Sequence, residues 1–188
     1  MNIFSGIFGP QDPEKQKNNK FQELETLFAG DQEMMSFSKS SWLTSRGGYY
    51  GGQGKLDQAI MDFKDAIILK PDHIPSYIAL GIAYREKGML QDALATLNKA
   101  PHVMIISGKE LGGSEFDLYN AIASIYLLMG DKSKTIEYAK KAIEALNDPE
   151  RKEQLAFAKE SGVISEKEND DSKMLEVLKG LILELEGE

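Results

Sequence analysis

The chain has 188 residues, a formal net charge of −8, 41% hydrophobic residues and no cysteine. The missing cysteines exclude disulfides, cysteine-ligated zinc and thiol nucleophiles, and the negative charge argues against a nucleic-acid partner, whose phosphates require clustered lysine and arginine. No apolar run approaches the ~20 residues needed to span a bilayer, and residues 1–10 lack the basic region of a signal peptide. We therefore expect a cytoplasmic protein.

The first part of the chain is predicted to contain a flexible lead-in over residues 1–18, followed by a helical segment over residues 19–39. Asp31 is placed to cap a helix within that segment. Near the start, four apolar residues fall on one helical face. Membrane anchoring by so short a segment would be marginal, so we expect no membrane role, and packing on the protein itself or disorder is favoured. The four residues are Ile3, Phe4, Ile7 and Phe8.

The central part of the chain repeats itself at an offset of 34 residues, for example between Tyr50 and Tyr84. Such a period is typical of a helical solenoid, in which one helical pair cannot bury its own apolar face. A glycine in each copy is predicted to take a left-handed backbone conformation in the turn between two helices. Gly47, Tyr50, Gly54, Ala59, Phe63 and Ala66 recur as Gly81, Tyr84, Gly88, Ala93, Leu97 and Ala100, and more weakly as Ala123, Tyr126, Gly130, Thr135, Ala139 and Ala142.

The third copy is displaced by an insertion near residues 101–115, which contains the apolar run Val103 to Ile106. That run must be covered by the protein itself, by a second subunit or by a partner. Residues 150–188 are predicted to form C-terminal capping helices. The last of these helices is so apolar that it should pack on the end of the repeats or on another subunit.

The chain resembles the tetratricopeptide repeat (TPR) family, whose pattern is W-x2-L-G-x2-Y, then A-x3-F, then P. The second copy carries the match most fully, with the residues Tyr77, Leu80, Gly81, Tyr84, Ala93 and Leu97. In the first copy Arg46 stands where leucine is usual. The resemblance implies an all-α, right-handed α-solenoid of three TPR helical hairpins with extra N- and C-terminal helices. The three TPR units would occupy residues 40–73, 74–107 and 116–149, together spanning 40–149.

TPR proteins hold peptides or helices in a concave groove lined by the first helix of each hairpin, and the resemblance implies such a site here. Members that clamp a terminal carboxylate use lysine and asparagine, whereas this chain has Thr44, Gly48, Ile78 and Ile82 at those places. An apolar or helical ligand is therefore expected rather than a carboxylate. The predicted partner-binding residues are Thr44, Ile78, Ile82, Arg85, Asn120, Ser124 and Leu127.

No residues are predicted to be catalytic, to ligate a metal or to bind a cofactor. The glycine-rich segment from Arg46 to Gly54 lacks the Gly-Lys-Ser/Thr ending of a phosphate-binding loop. It is better interpreted as a helix that is weak by itself and depends on tertiary packing or a ligand. His73 and His102 lack converging ligands, and the scattered acidic residues are interpreted as solvated helix faces.

The sequence therefore predicts a non-catalytic adaptor or scaffold that binds a peptide or an amphipathic helix of another protein. One alternative is a small acidic chaperone for an exported client, similar in size to the three-repeat chaperones of bacterial secretion systems. Another is a self-assembling module, a homo-oligomer formed through the N-terminal tip or the last helix.

Overall fold

The computed structural model describes residues 13–100, 114–149, 152–153 and 171–187, and these contain helices and no strands. The chain divides into two compact units, residues 1–107 and 108–188, here called unit one and unit two. Unit one contains helices α1–α5, and unit two contains α6–α8. The helices are α1 (Pro13–Leu27), α2 (Gln32–Gly52), α3 (Leu56–Leu69), α4 (Ile74–Glu86), α5 (Leu90–Leu97), α6 (Ser114–Leu128), α7 (Lys132–Asn147) and α8 (Asp171–Glu186).

The first helix begins at Pro13, so residues 13–18 are helical where a flexible lead-in was expected. Proline is favoured in the first turn of a helix, because its missing N–H would have no intrahelical partner there. The apolar tip at residues 3–8 and the Val103 to Ile106 run lie outside the described residues.

Unit one is built on two helical hairpins, α2 with α3 and α4 with α5. Gly54 and Gly88 lie in the two turns with φ angles of +74° and +78°, which confirms the predicted left-handed conformation. Inside the first hairpin, a Cβ atom built on Gly47 would lie 2.5 Å from the ring of Phe63. The absence of a side chain at Gly47 therefore allows α2 and α3 to approach closely.

The glycine-rich end of α2 is helical as far as Gly52. A buried ion pair ties this part of the helix to α3: Arg46 Nε and Nη2 donate to the Asp62 carboxylate at 2.7 and 2.5 Å. The guanidinium also lies 4.7 Å from the ring centroid of Trp42. Asp62 is thus an exception to the expectation that the acidic residues are solvated. Burial raises the pKa of its carboxyl group, and the hydrogen bond from Arg46 opposes that rise.

Helix α1 packs on this hairpin through its N-terminal and C-terminal halves. Lys17 Nζ contacts Asp65 Oδ2 of α3 at 2.7 Å, and Lys39 of α2 donates to Glu25 at 2.6 Å. The N-terminus of α2 is capped as predicted, since Asp31 Oδ1 accepts from the backbone N–H of Met34 at 2.9 Å.

Unit two contains the third hairpin, α6 with α7, whose turn includes Gly130 with a φ angle of +75°. Asp131 caps α7 by accepting from the backbone N–H of Lys134 at 3.0 Å. Helix α8 packs against the hairpin through Leu178 and Ile182, which join the core around Ala139 and Leu146. In the described part of the chain, no helix combines the length and the apolarity that crossing a membrane requires.

Candidate functional site

In unit one the first helices of the two hairpins, α2 and α4, lie against each other. Thr44 of α2 and Ser76 of α4 are joined by a hydrogen bond of 2.7 Å between their hydroxyl oxygens. The Thr44 hydroxyl also donates to the carbonyl oxygen of Ser40 at 2.9 Å. Thr44 was predicted to bind a partner, but in the structure its hydroxyl group serves the contact between the two helices.

The predicted site residues on α4 differ in how accessible they are. Ile78 is buried, with 7% of its surface exposed, so it occupies a packing position although it was expected to avoid one. Ile82 is half-buried, and 26% of the Arg85 side chain is exposed. Ile82 and Arg85 therefore form the accessible part of the α4 face, with the Arg85 guanidinium 3.9 Å from the Glu86 carboxylate.

A buried histidine occupies the junction between α2 and α4. His73 immediately precedes α4, is 5% exposed, and has a hydroxyl group at each ring nitrogen. Nδ1 lies 2.6 Å from Ser76 Oγ, and Nε2 lies 3.2 Å from Ser41 Oγ. The Thr44 hydroxyl donates its only proton to a backbone carbonyl, so Ser76 must be the donor in its hydrogen bond with Thr44. The Ser76 oxygen then accepts from Nδ1–H of His73. We therefore assign the neutral tautomer with the proton on Nδ1 and with Ser41 donating to Nε2.

Burial lowers the pKa of His73 from its ordinary value of 6.5. The negative charge of Asp72 opposes this shift, and the positive charge of Lys70 adds to it. The folded state therefore binds this proton less readily than the unfolded state. Its contribution to stability is complete above pH 6.5 and declines as the pH falls from 6.5 through the folded-state pKa.

We expect the free energy of unfolding to decrease between pH 7 and pH 5, and to decrease less in a His73→Gln variant. Each pKa unit between the unfolded and folded forms corresponds to about 1.4 kcal/mol. Urea unfolding at several pH values, for the wild-type chain and the variant, measures the difference. Identical pH dependence in the two proteins would contradict this assignment.

In unit two the predicted residues lie on α6. Asn120 and Ser124 are half-buried, and the Ser124 hydroxyl donates to the carbonyl oxygen of Ala121 at 2.7 Å. Leu127 is 43% exposed and is followed by Leu128 and Met129, which are 63% and 40% exposed. The second copy has Arg85, Glu86 and Lys87 at the corresponding positions. Leu127 was predicted as a site residue, but the two exposed apolar residues after it, Leu128 at the end of α6 and Met129 in the following turn, were missed, although a comparison of the copies contains that signal.

Among the described residues, the chemically active side chains are not assembled into a reaction centre. No three histidine or acidic side chains in that part of the chain converge as a metal site would require. Ser76 and His73 make a serine–histidine contact, but Ser76 is fully buried and is already bonded to Thr44. A nucleophile must reach a substrate, and this hydroxyl cannot.

Comparison with known proteins agrees with the repeat pattern and with the hairpins. Sequence models of the tetratricopeptide repeat match residues 52–103 and residues 116–145. The chain therefore contains tetratricopeptide repeats in these two ranges. Its fold class is the all-α TPR solenoid that the sequence predicted. No curated protein sequence matches this TPR chain significantly.

Solved structures share this TPR fold at low sequence identity. The type III secretion translocator chaperone SycD of Yersinia enterocolitica has a TM-score of 0.53 and 20% identity, covering 76% of this chain and 92% of that one. PcrH in complex with the chaperone-binding region of PopD has a TM-score of 0.51 and 18% identity, covering 74% and 90%. The first TPR domain of Spaghetti (RPAP3) bound to an HSP90 peptide has a TM-score of 0.51 and 17% identity, covering 68% and 96%. At these identities the likeness shows the fold alone.

Proposed function

We propose that this protein is a non-catalytic adaptor that binds a peptide or an amphipathic helix of a partner protein. The observation that carries the proposal is the accessible face of α4 in unit one, where Ile82 and Arg85 remain partly exposed beside a well-packed helical scaffold. An aliphatic side chain next to a guanidinium suits an apolar anchor followed by a carbonyl or carboxylate group. The similar folds that hold a PopD segment and an HSP90 peptide support a protein ligand.

Unit two offers a second surface of the same kind, which we propose as a separate contact. Leu127 would supply apolar area at the end of α6, and Asn120 and Ser124 would orient the main chain of the ligand. Ile78 and Thr44 contribute to the proposed function indirectly, because they hold α2 and α4 in place.

The test begins by identifying the ligand chemically. A photo-crosslinking amino acid placed at position 82 of the full chain is expected to capture a peptide segment of one partner. The same amino acid at position 68, on the outer helix α3, should not capture it. Peptide mapping of the crosslink then supplies a defined ligand. Crosslinks that arise equally from both positions would contradict a site on α4.

The affinities of substituted variants for that defined ligand then test which residues bind it. We expect Ile82→Asp to weaken binding at least about tenfold, a loss of about 1.4 kcal/mol, because a buried carboxylate would replace an apolar contact. Ile68→Asp, with a side chain that is 75% exposed, is the matched control and should leave the dissociation constant unchanged. Isothermal titration gives the constants, and circular dichroism confirms that both variants remain folded. Undiminished binding by Ile82→Asp would place the site elsewhere.

Self-association through α8 is the second candidate, and the exposed flanks of that helix favour it. Val177 and Leu183 are 65% and 70% exposed although α8 packs on α7 through other residues. Sedimentation of the wild-type chain and of a Val177→Asp, Leu183→Asp variant separates the two functions. A concentration-dependent oligomer that the double variant abolishes would favour the assembly module. A chaperone for an exported client is a special case of the adaptor, and a cytoplasmic location accompanies both proposals.

A further inference from the structure

Helix α3 carries an uncovered apolar face in unit one. Met61 and Ile68 are 63% and 75% exposed. They lie seven residues apart and therefore on the same side of the helix, about 10 Å apart along its axis. Asp65 lies between them on that side. Two large aliphatic side chains in one row are a surface that another apolar group can cover.

The start of α1 lies beside this face. The contact of Lys17 with Asp65 fixes α1 against α3 at 2.7 Å. Both α1 and α3 run antiparallel to α2. Residues that lie further along α2 contact residues that lie earlier in α1 and earlier in α3. Helices α1 and α3 are therefore parallel. One turn before the ion pair, Pro13 of α1 comes about level with Met61 of α3.

The residues that precede Pro13 supply an apolar segment of suitable length. Residues 3–8 include Ile3, Phe4, Ile7 and Phe8, and residues 1–10 contain no charged side chain. Pro13 is the fifth residue after Phe8, so Phe8 can lie up to about 17 Å from the start of α1. Met61 falls well within that reach, and Ile68 falls within the reach of the residues that precede Phe8.

We propose that residues 3–8 dock on the Met61–Ile68 face of α3 in the same molecule. The ion pair of Lys17 with Asp65 holds the start of α1 beside this face, and the chain that leads up to α1 is long enough to reach it. The face is bordered by an acidic residue, Asp57, and by a basic residue, Lys64. A segment without charged side chains is repelled by neither of them. Docking covers the apolar row and leaves the proposed ligand face of α4 unoccupied, so this inference stands independently of the proposed function.

Disulfide trapping tests the contact without interference, because the chain has no cysteine of its own. A Phe8→Cys, Met61→Cys variant of the full chain should form an intramolecular disulfide under mild oxidation, seen as a monomer on a non-reducing gel. Phe8→Cys, Leu27→Cys is the geometric control. Leu27 is 67% exposed, but it lies about 21 Å along α1 from Pro13, so only a nearly fully extended connection would bring the two cysteines together. Equal trapping rates for the two pairs would overturn the proposal.

Thiol reactivity gives a second, independent measurement. An Ile68→Cys variant is compared with the same variant in which Ile3, Phe4, Ile7 and Phe8 are replaced by serine. A segment that covers the face in about nine molecules of ten slows the reaction of the thiol about tenfold, and the serine replacements should remove that protection. An unchanged rate would overturn the proposal.

The other occupants produce distinct results. Disulfides that join two chains, seen as dimers, would assign the segment to a second copy and overturn the intramolecular contact. Binding to phosphatidylcholine–phosphatidylglycerol vesicles that requires the four apolar residues, without protection of Ile68→Cys in buffer, would assign the segment to a lipid surface and would also overturn it.

Discussion

Replacing Arg46 with leucine is expected to lower the free energy of unfolding of unit one by about 3–5 kcal/mol. The variant leaves the Asp62 carboxylate buried without its bidentate partner, and the loss of a buried charge partner costs far more than the pair itself contributes. A domain of this size has only about 5–15 kcal/mol of stability in total. Urea unfolding followed by circular dichroism should show a large decrease in the midpoint.

The double variant Arg46→Leu, Asp62→Leu tests the cause. With both charges removed, apolar packing replaces the pair, and we expect most of the lost stability to return. The exposed pair of Lys141 with Glu137 is the control, since Glu137→Gln should change stability by less than about 1 kcal/mol. The explanation fails if the single Arg46→Leu variant is as stable as the wild-type chain, or if the double variant is less stable than Arg46→Leu.

Gly47→Ala and Gly48→Ala are expected to have opposite effects although the two residues are neighbours in α2. A Cβ at Gly47 would lie 2.5 Å from Cε1 of Phe63, whereas no atom lies within 4 Å of a Cβ at Gly48. Alanine favours a helix over glycine by about 1 kcal/mol at either position. Overpacking costs about 1–3 kcal/mol, so Gly47→Ala should destabilise by up to about 2 kcal/mol, and Gly48→Ala should stabilise by up to about 1 kcal/mol.

Equilibrium unfolding of the two variants in parallel measures the difference. Because both replacements gain the same helix propensity, any difference between them reports the contact with Phe63. Adding Phe63→Leu to Gly47→Ala should reduce its cost, since a smaller side chain gives the new methyl group room. Equal stabilisation by both alanine variants would show that the ring moves aside freely and that Gly47 is not needed for close packing.

Local features of this fold could be predicted from the sequence with good accuracy. The turn glycines Gly54, Gly88 and Gly130 have the positive φ angles expected of them. Asp31 caps α2 as expected. Each of these features depends on residues within one helical turn of each other, so the order of the residues contains all the necessary information.

The candidate site was predicted less completely, because burial depends on what a second helix supplies. Ile78 was selected by its spacing along α4, but it is buried. Thr44 was selected in the same way, and its hydroxyl is used by Ser76, which is 32 residues further along the chain. Ile82, Arg85 and Leu127 keep accessible surface and remain the residues on which the binding proposal depends.

The sequence by itself determined the repeat, the helices and the turns, since periodic apolar residues and glycines act through the local geometry of the backbone. Only the tertiary structure decided that Arg46 and Asp62 neutralise each other inside the first hairpin, that Ser41 of α2 contacts the ring of His73, and that α8 packs on α7. These pairings join residues that are far apart in the chain. Their energies come from desolvation and complementary contact, which arise only when the packed helices bring the groups together.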